Sequence, residues 1–395
     1  MSRFAQPFWP VSRLLPMAAL CGLSLVIFPG DRAHALEPAK ARQIVDAILM
    51  QHGIDATERD IQTENGAVTL HYDDVRLDLT GYRTARELVM SDVAVTLRDT
   101  GNPDIVDIDV TLPETAQMLA EKTTDAREIT LRDARGTLAW NHVTATPKSF
   151  NAAAAMLVGD EPVSRKHWLM NNLKVLLDET RATISWGASE WTGANREKMG
   201  AVQSASFDLY PGPDGETRLD YAHDGLWLPN LIQPRTVRLQ THSAGVPWTE
   251  ARPILQQGIN DMMTGKSPRQ TRRDIGNALW RKAAASGQPI LIDEIYVEGR
   301  GLEARGDGQL LARDNARYGF QGDLDVNLVG RDRLEFLIGT PASPTLLGAL
   351  VPFAVEGLAA GLPGPQETTA YNIELLPDGR LIINGVTVMD RATGG

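Results

Sequence analysis

Cysteine is almost missing from this chain: Cys21 stands alone among 395 residues, so no disulfide can brace the fold in any redox compartment. Histidine is sparse too. Beyond His34, the residues His52, His71, His142, His167, His223 and His242 form no close pair and no His-Glu-x-x-His array. They write no metal centre, and surface positions are expected for them. Basic charge runs short: 39 Lys and Arg face 50 Asp and Glu, a formal charge of −11. An acidic chain repels phosphate backbones, so nucleic acid is not expected as a partner. Catalytic signatures are lacking as well. The nearest approach to a Gly-x-Ser-x-Gly elbow, "GASEW" from Gly187, has no final glycine. "MTGKSP" ends like a phosphate-binding loop, yet Asn260 stands where that loop needs its first glycine. "VEGRGLEARG" sets Gly299, Gly301 and Ala304 at dinucleotide-fingerprint spacing, but Gly306 and Asp307-Gly308 turn into another strand where the site requires a helix. No catalytic residue, metal or cofactor is assigned.

A secretory leader is expected at residues 1–35. Arg3 and Arg13 precede the apolar run Leu14 to Phe28, and Ala33-His34-Ala35 supplies small residues for a peptidase. At 1.5 Å per residue that run reaches about 22 Å, short of the ~30 Å hydrocarbon core, so cleavage after Ala35 is expected, with retention as an anchor the alternative. Lipidation at Cys21 is disfavoured by the bulky Leu20 before it. The exported chain would keep 36 basic and 49 acidic side chains, a charge of −13, once Arg3, Arg13, Arg32 and Asp31 are removed. Periplasmic residence, with or without membrane association, follows.

The mature chain begins with an amphipathic helix over Pro38 to Gln51, with Ile44, Val45, Ile48 and Leu49 on one face and Gly53 as its stop. Strands dominate afterwards. "DVAVTLRD", "IVDIDVTL", "GTLAWNHVTAT", "SASFDLYP", "ILIDEIYVEG" and "GDLDVNLVG" alternate apolar and polar residues, the pattern of a sheet with one wet face, which antiparallel pairing permits. Asn65-Gly66, Asp214-Gly215, Asp307-Gly308 and Asp378-Gly379 each read as a hairpin turn. Helices are expected at Pro113 to Lys122, at the pair Pro247 to Thr264 and Pro268 to Ser286, and at Pro344 to Ala360. Between Val163 and Leu177 helix and strand stay equally open. The fold class is therefore β-rich α+β: one or two curved antiparallel sheets built of successive hairpins, with helices packed on one side. Residues 36–245 form an N-terminal β-rich unit and 246–395 a C-terminal unit of paired helices and antiparallel strands.

From Pro289 to Val388 the order is strand, strand, the strand "YGFQGDLDVNLVG", an apolar helix, then the closing hairpin "IELLPDGRLIINGVTV", which would cap a sheet edge. That order resembles the C-terminal unit of AsmA-like bacterial envelope proteins. The resemblance covers about a quarter of the chain. It implies a curved antiparallel sheet with an apolar concave side and a role in handling lipid.

Candidate sites follow from patterning. Leu324, Val326 and Leu328 alternate with Asp323, Asp325 and Asn327, and Ile373 and Leu375 repeat the period in the last hairpin. With Leu347 on the apolar helix, which either plugs this face or lies over a lipid upon it, they make the expected ligand-binding set. Lys266, Arg269, Arg272 and Arg273, with Arg281 and Lys282 beyond, reverse the local charge against Asp274 alone and suit an anionic headgroup or an acidic partner. Asp107 with Asp109 and Asp323 with Asp325 project in twos, roughly 7 Å apart at ~3.3 Å per residue, which suits an acid and base pair or merely a wet sheet face. Trp186 and Trp191 belong at the rim of a core or on a sugar or membrane surface. The expected function is non-enzymatic: binding or passing an apolar ligand of the lipid class. An interaction scaffold for another envelope protein is the alternative, and an envelope hydrolase the third.

Overall fold

The computed structural model describes residues 36–78, 87–119, 126–160, 165–228, 235–263, 266, 268–299, 301–332, 357 and 359–389. Within them the chain is α+β and dominated by antiparallel strands, with three α-helices: α1 (Pro38–Gln51), α2 (Trp248–Met263) and α3 (Pro268–Ser286). Its contacts divide it into two compact units, Met1–Met199 with Arg252–Ile275, and Gly200–Ala251 with Gly276–Gly395.

The first unit is a meander with a crease. β1 (Ile54–Glu64) and β2 (Ala67–Asp78) meet at Asn65-Gly66, whose φ values of 51° and 80° are the two positive dihedrals a tight I′ hairpin demands. The next rows are each broken in two: β3 (Glu87–Met90) with β4 (Val93–Asp99), β5 (Ile105–Thr111) with β6 (Thr115–Leu119), and β7 (Arg127–Arg132) with β8 (Arg135–Asn141). β9 (Thr146–Asp160) and β10 (His167–Leu177) run through. β11 (Ala182–Trp186) and β12 (Ser189–Thr192) are again one broken row. The breaks align. Asp73-Asp74 faces Ser91-Asp92 between the pairs Tyr72–Val93 and Val75–Met90. Leu112 donates to Ala134 across the next gap, Asn172 lies opposite Ala155, and Gly187 donates to Asn171 at 2.7 Å. Asp74, Asp92, Asp133 and Asn172 all take positive φ, a conformation that short polar side chains tolerate, and such bulges bend a strand. Repeated across the sheet, they fold it along one line. Arg59 straps the crease with bonds to Asp92 at 2.9 Å and Asp73 at 3.4 Å.

Inside this crease the apolar face is closed: Val68, Leu70, Leu97, Ile129 and Leu157 are fully buried. Each such side chain contributes roughly 1.5–3 kcal/mol relative to exposure. α1 packs on β1 and β2, burying Ala41, Ile44 and Val45, and its C-cap His52 sits edge-on to Trp140 at 6.2 Å.

Several expectations change here. The expected helix from Pro113 to Lys122 is not found in its described part, residues 113–119: Thr115–Leu119 is β6, paired to β3 and β7, and Pro113 marks the crease. Val163 to Leu177 resolves as a strand from His167. "GTLAWNHVTAT" is two strands joined by the turn His142–Ala145. His52 and His223 are buried, not on the surface. The helix pair and the first helix stand where they were expected. Pro344 to Ala360 and Leu347 lie outside the described residues, apart from Gly357, Ala359 and Ala360.

Candidate functional site

The second unit is a ladder: β14 (Ser204–Pro211), β15 (Glu216–Asp224), β16 (Thr236–Pro247), β17 (Ile290–Gly299), β18 (Leu302–Ala312) and β19 (Phe320–Val329), each paired to the next. β13 (Lys198–Val202) leads into it. β19 then pairs with β21 (Thr369–Leu375), which carries β22 (Leu381–Ile383) and the two-residue β20 (Leu362–Pro363). The hairpin at Pro377-Asp378-Gly379 forms as read, Gly379 taking φ 89°. A second turn at Asn384-Gly385 breaks what reads as one final strand and adds β23 (Val386–Met389), whose described pairing is to β22.

Residues directly opposite on antiparallel strands share a face, so the registers sort the side chains. One row reads Phe207, Tyr221, Leu239, Ile295, Gly306, Val326, Tyr371; the next reads Leu209, Leu219, Thr241, Ile292, Gly308, Leu324, Ile373, Ile383. Neither row holds an acid or a base. The opposite face carries Asp208, Asp220, Gln240, Glu294, Asp307, Asp325 and Asn372 in one row, with Arg238, Tyr296 and Arg305 beside it. There Arg305 lies over the Tyr296 ring at 4.8 Å.

Five of the six expected ligand residues come together on the apolar face. Leu324 is opposite Ile373, Leu375 opposite Gly322, and Val326 packs with Ile373, Ala304 and Ile383 against the buried pair Leu328 and Tyr371. Sequence reading missed Tyr371, though it stands two residues before Ile373 and shares its face by period. It also missed the hydrogen bond of 2.9 Å between Tyr221 and His223, a polar element of the face, where burial pushes the Tyr221 hydroxyl up to about 12. Asp307-Gly308 is no turn: both residues lie within β18, and the hairpin before it turns at Gly301, φ 80°. Glycine is required at 306 and 308 for another reason. A Cβ there would come within 2.4 Å of the Asp325 carbonyl oxygen and 2.2 Å of that of Asp323, so the face has a furrow between Ile292 and Leu324.

Unlike the inner residues of the first unit, Leu324, Val326, Ile373, Leu375, Ile295 and Tyr221 are only partly buried. That difference is the main physical feature of the site.

The basic set is split. Lys266 is engaged by Asp261 at 2.6 Å and Asp274 at 2.9 Å, bonds that raise its own pKa. Burial tends to raise Asp261, but bonds from Lys266 and Gln257 leave it below the usual range. Arg272 and Arg273 are exposed on α3, and the side chain of Arg269 lies outside the described residues. As for the paired acids, Asp109 binds Arg98 while Asp107 is exposed; Asp323 and Asp325 accept from Gln309 and Asn372, each at 2.9 Å. Asp323 also faces Glu374 directly, in a shallow depression of about 410 Å³ that Gln321, Asn372 and Pro377 help to line. Trp186 is buried and Trp191 pairs across to Trp168. Among the described residues no three His, Cys, Asp or Glu are placed to hold a metal, and no helix is long and apolar enough to cross a membrane. No family model matches the chain, and no curated protein does.

Proposed function

We propose that the chain is an exported, periplasmic envelope protein whose second unit seats an apolar ligand of the lipid class on the face of β14 to β22. One observation carries this reading: the two rows are free of charged side chains from Phe207 to Ile383, yet Tyr221, Ile295, Leu324, Val326 and Ile373 stay partly buried while Val68, Leu70, Leu97, Ile129 and Leu157 of the first unit are fully covered. An apolar ligand would gain roughly 25 cal/mol for each Å² that it removes from water there. The leader and the AsmA-like order of the last hundred residues support the same reading. Organic extraction of protein purified from the envelope, followed by mass spectrometry, should release lipid in stoichiometric amount. Empty extracts from protein purified without detergent would overturn it and favour the scaffold.

A second reading, hydrolysis by paired carboxylates, draws on the direct opposition of Asp323 and Glu374 in their depression. Carboxyl groups about 5–5.5 Å apart suit a retaining glycosidase. If it holds, Glu374→Gln abolishes turnover of a glycan substrate without changing the melting temperature.

A further inference from the structure

Two side chains on the apolar face of the second unit are polar, buried and unsatisfied. Thr217 of β15 is 9% exposed and Ser243 of β16 is 7% exposed, and neither hydroxyl has a hydrogen-bond partner among the described residues. They stand directly opposite each other, so their Cβ atoms lie about 4.5–5.5 Å apart on one side of the sheet. That side is the apolar one: the next pair along the same two strands is Leu219 with Thr241, and the pair after it is Tyr221 with Leu239. Immediately beyond Ser243 the ladder breaks. Glu216 pairs with Pro247, which leaves Ala244, Gly245 and Val246 as a bulge in β16, and the end of α3 packs on it, since a Cβ on Gly245 would lie 2.2 Å from Ser286 Oγ. The hydroxyl pair thus occupies the covered end of the face. Thr241, partly exposed, joins it to the open part. Buried hydroxyls are nearly always bonded, because an unmet one forfeits the bonds it made with water. Two of them, opposite each other, call for a group that both can reach.

Charge narrows what that group can be. From the row Ala205, His223, Val237 to the row Pro211, Thr217, Ser243, this side of β14 to β16 carries no Lys, Arg, Asp or Glu. Arg218, next to Thr217 in sequence, takes the opposite side, where its Nε donates to Glu216 at 2.9 Å. His223 stands six residues along β15, roughly 20 Å away at ~3.3 Å per residue. An anionic head beside the pair would therefore be buried with no counter-charge, which an apolar interior penalises heavily. We propose that Thr217 and Ser243 hold the polar end of the ligand, and that this ligand is an uncharged lipid bearing a hydroxyl or ester group there. Its chains lie over Tyr221, Leu239 and the open face beyond. A hydroxyl donates and accepts, so the pair serves either group. The inference deepens the reading of the face as a lipid seat and rests on it. A lone water between the two hydroxyls is the competing occupant, and it predicts no preference among lipids.

Delipidated full-length protein, titrated calorimetrically with dioctanoylglycerol and with dioctanoylphosphatidic acid, tests it, because the two probes share their chains and differ in the charge of the head. Dioctanoylglycerol should bind at least about tenfold more tightly, the phosphate being barred from the pair. Thr217→Val together with Ser243→Ala should weaken dioctanoylglycerol roughly twenty-fivefold, a factor of about five for each hydrogen bond lost, and leave phosphatidic acid unchanged. Ser243→Ala alone should cost about fivefold. Both substitutions nearly keep the side-chain shape and remove unmet polar atoms, so the ligand-free variants should melt no lower than wild type. The inference falls, with the lipid seat left standing, if both probes bind wild type equally well. It falls in the same way if the double change leaves the preference intact, the pair then holding only water, or if the ligand-free variants melt well below wild type, the hydroxyls then being met within the fold. Binding of neither probe overturns the seat and this inference together.

Discussion

Two leucines that look alike in sequence should behave very differently when truncated. Leu157, in β9 of the first unit, is fully buried opposite Leu131; Leu324, in β19 of the second, is only partly buried opposite Ile373. Leu157→Ala removes a side chain the core has closed upon, so the lost transfer energy and the cavity together cost about 3–4 kcal/mol. Leu324→Ala leaves a hollow that solvent already reaches, and in ligand-free protein its cost is about 1 kcal/mol from area alone. Urea unfolding of delipidated protein, followed by circular dichroism, measures both. Loading the wild type with ligand at a hundredfold its dissociation constant should add about 2.7 kcal/mol. Leu324→Asp should keep the fold and lose that increment, because its carboxylate can stay hydrated in the empty face but would be buried unpaired under an apolar ligand. If Leu324→Ala in delipidated protein costs as much as Leu157→Ala, the face is a covered core and the argument for a ligand seat fails.

Other consequences can be measured separately. Asp74→Gly should leave stability unchanged or raise it, whereas Asp74→Val should lower the melting temperature by several degrees, because a β-branched residue resists the φ of 51° that the crease demands. The Lys266 bonds contribute at intermediate pH: with the Asp261 pKa depressed, their stabilisation is lost as pH falls through the acid range, and with the Lys266 pKa raised it is lost again above the ordinary lysine range. Lys266→Met should therefore flatten the pH profile of melting at both ends. Asp325→Asn removes a like-charge opposition to Asp307 and should stabilise the second unit by roughly 0.2–1 kcal/mol while reducing solubility, both readable from melting and light scattering. Edman sequencing of the exported protein should begin at Leu36; recovery of Met1 on a membrane-bound product would show a retained anchor.

Local chemistry made some of this fold legible. Asn65-Gly66 and Asp378-Gly379 are turns because their own backbones need positive φ, and that need is written in the dipeptide. Asp307-Gly308 has the same letters and a different cause: Gly308 is demanded by the Asp323 carbonyl of the next strand, a partner 15 residues away that no local window contains. The crease escaped for a related reason. Asp73-Asp74, Ser91-Asp92 and Asp133 read singly as loop residues, and only the registers show that they line up. Once broken at Pro113, the short strand from Thr115 lost its alternation, and its helix-forming Ala, Gln, Met and Leu pointed the wrong way until pairing with β3 and β7 overrode propensity.

The site was half legible in the same sense. Alternation placed Leu324, Val326, Leu328, Ile373 and Leu375 on one face, but alternation reports only which side a residue takes, not whether that side is covered. Coverage depends on what the rest of the chain brings to it. The wet side offers a reason why partial coverage can be sustained. Asp307 faces Asp325, Asp208 faces Asp220 and Asp323 faces Glu374, three like-charge oppositions that each cost stability. A sheet selected for stability alone would not keep them. A sheet that must leave one apolar face open for a ligand gains from them, because a strongly acidic back repels a second copy and so lowers the chance that two open faces meet before the ligand arrives.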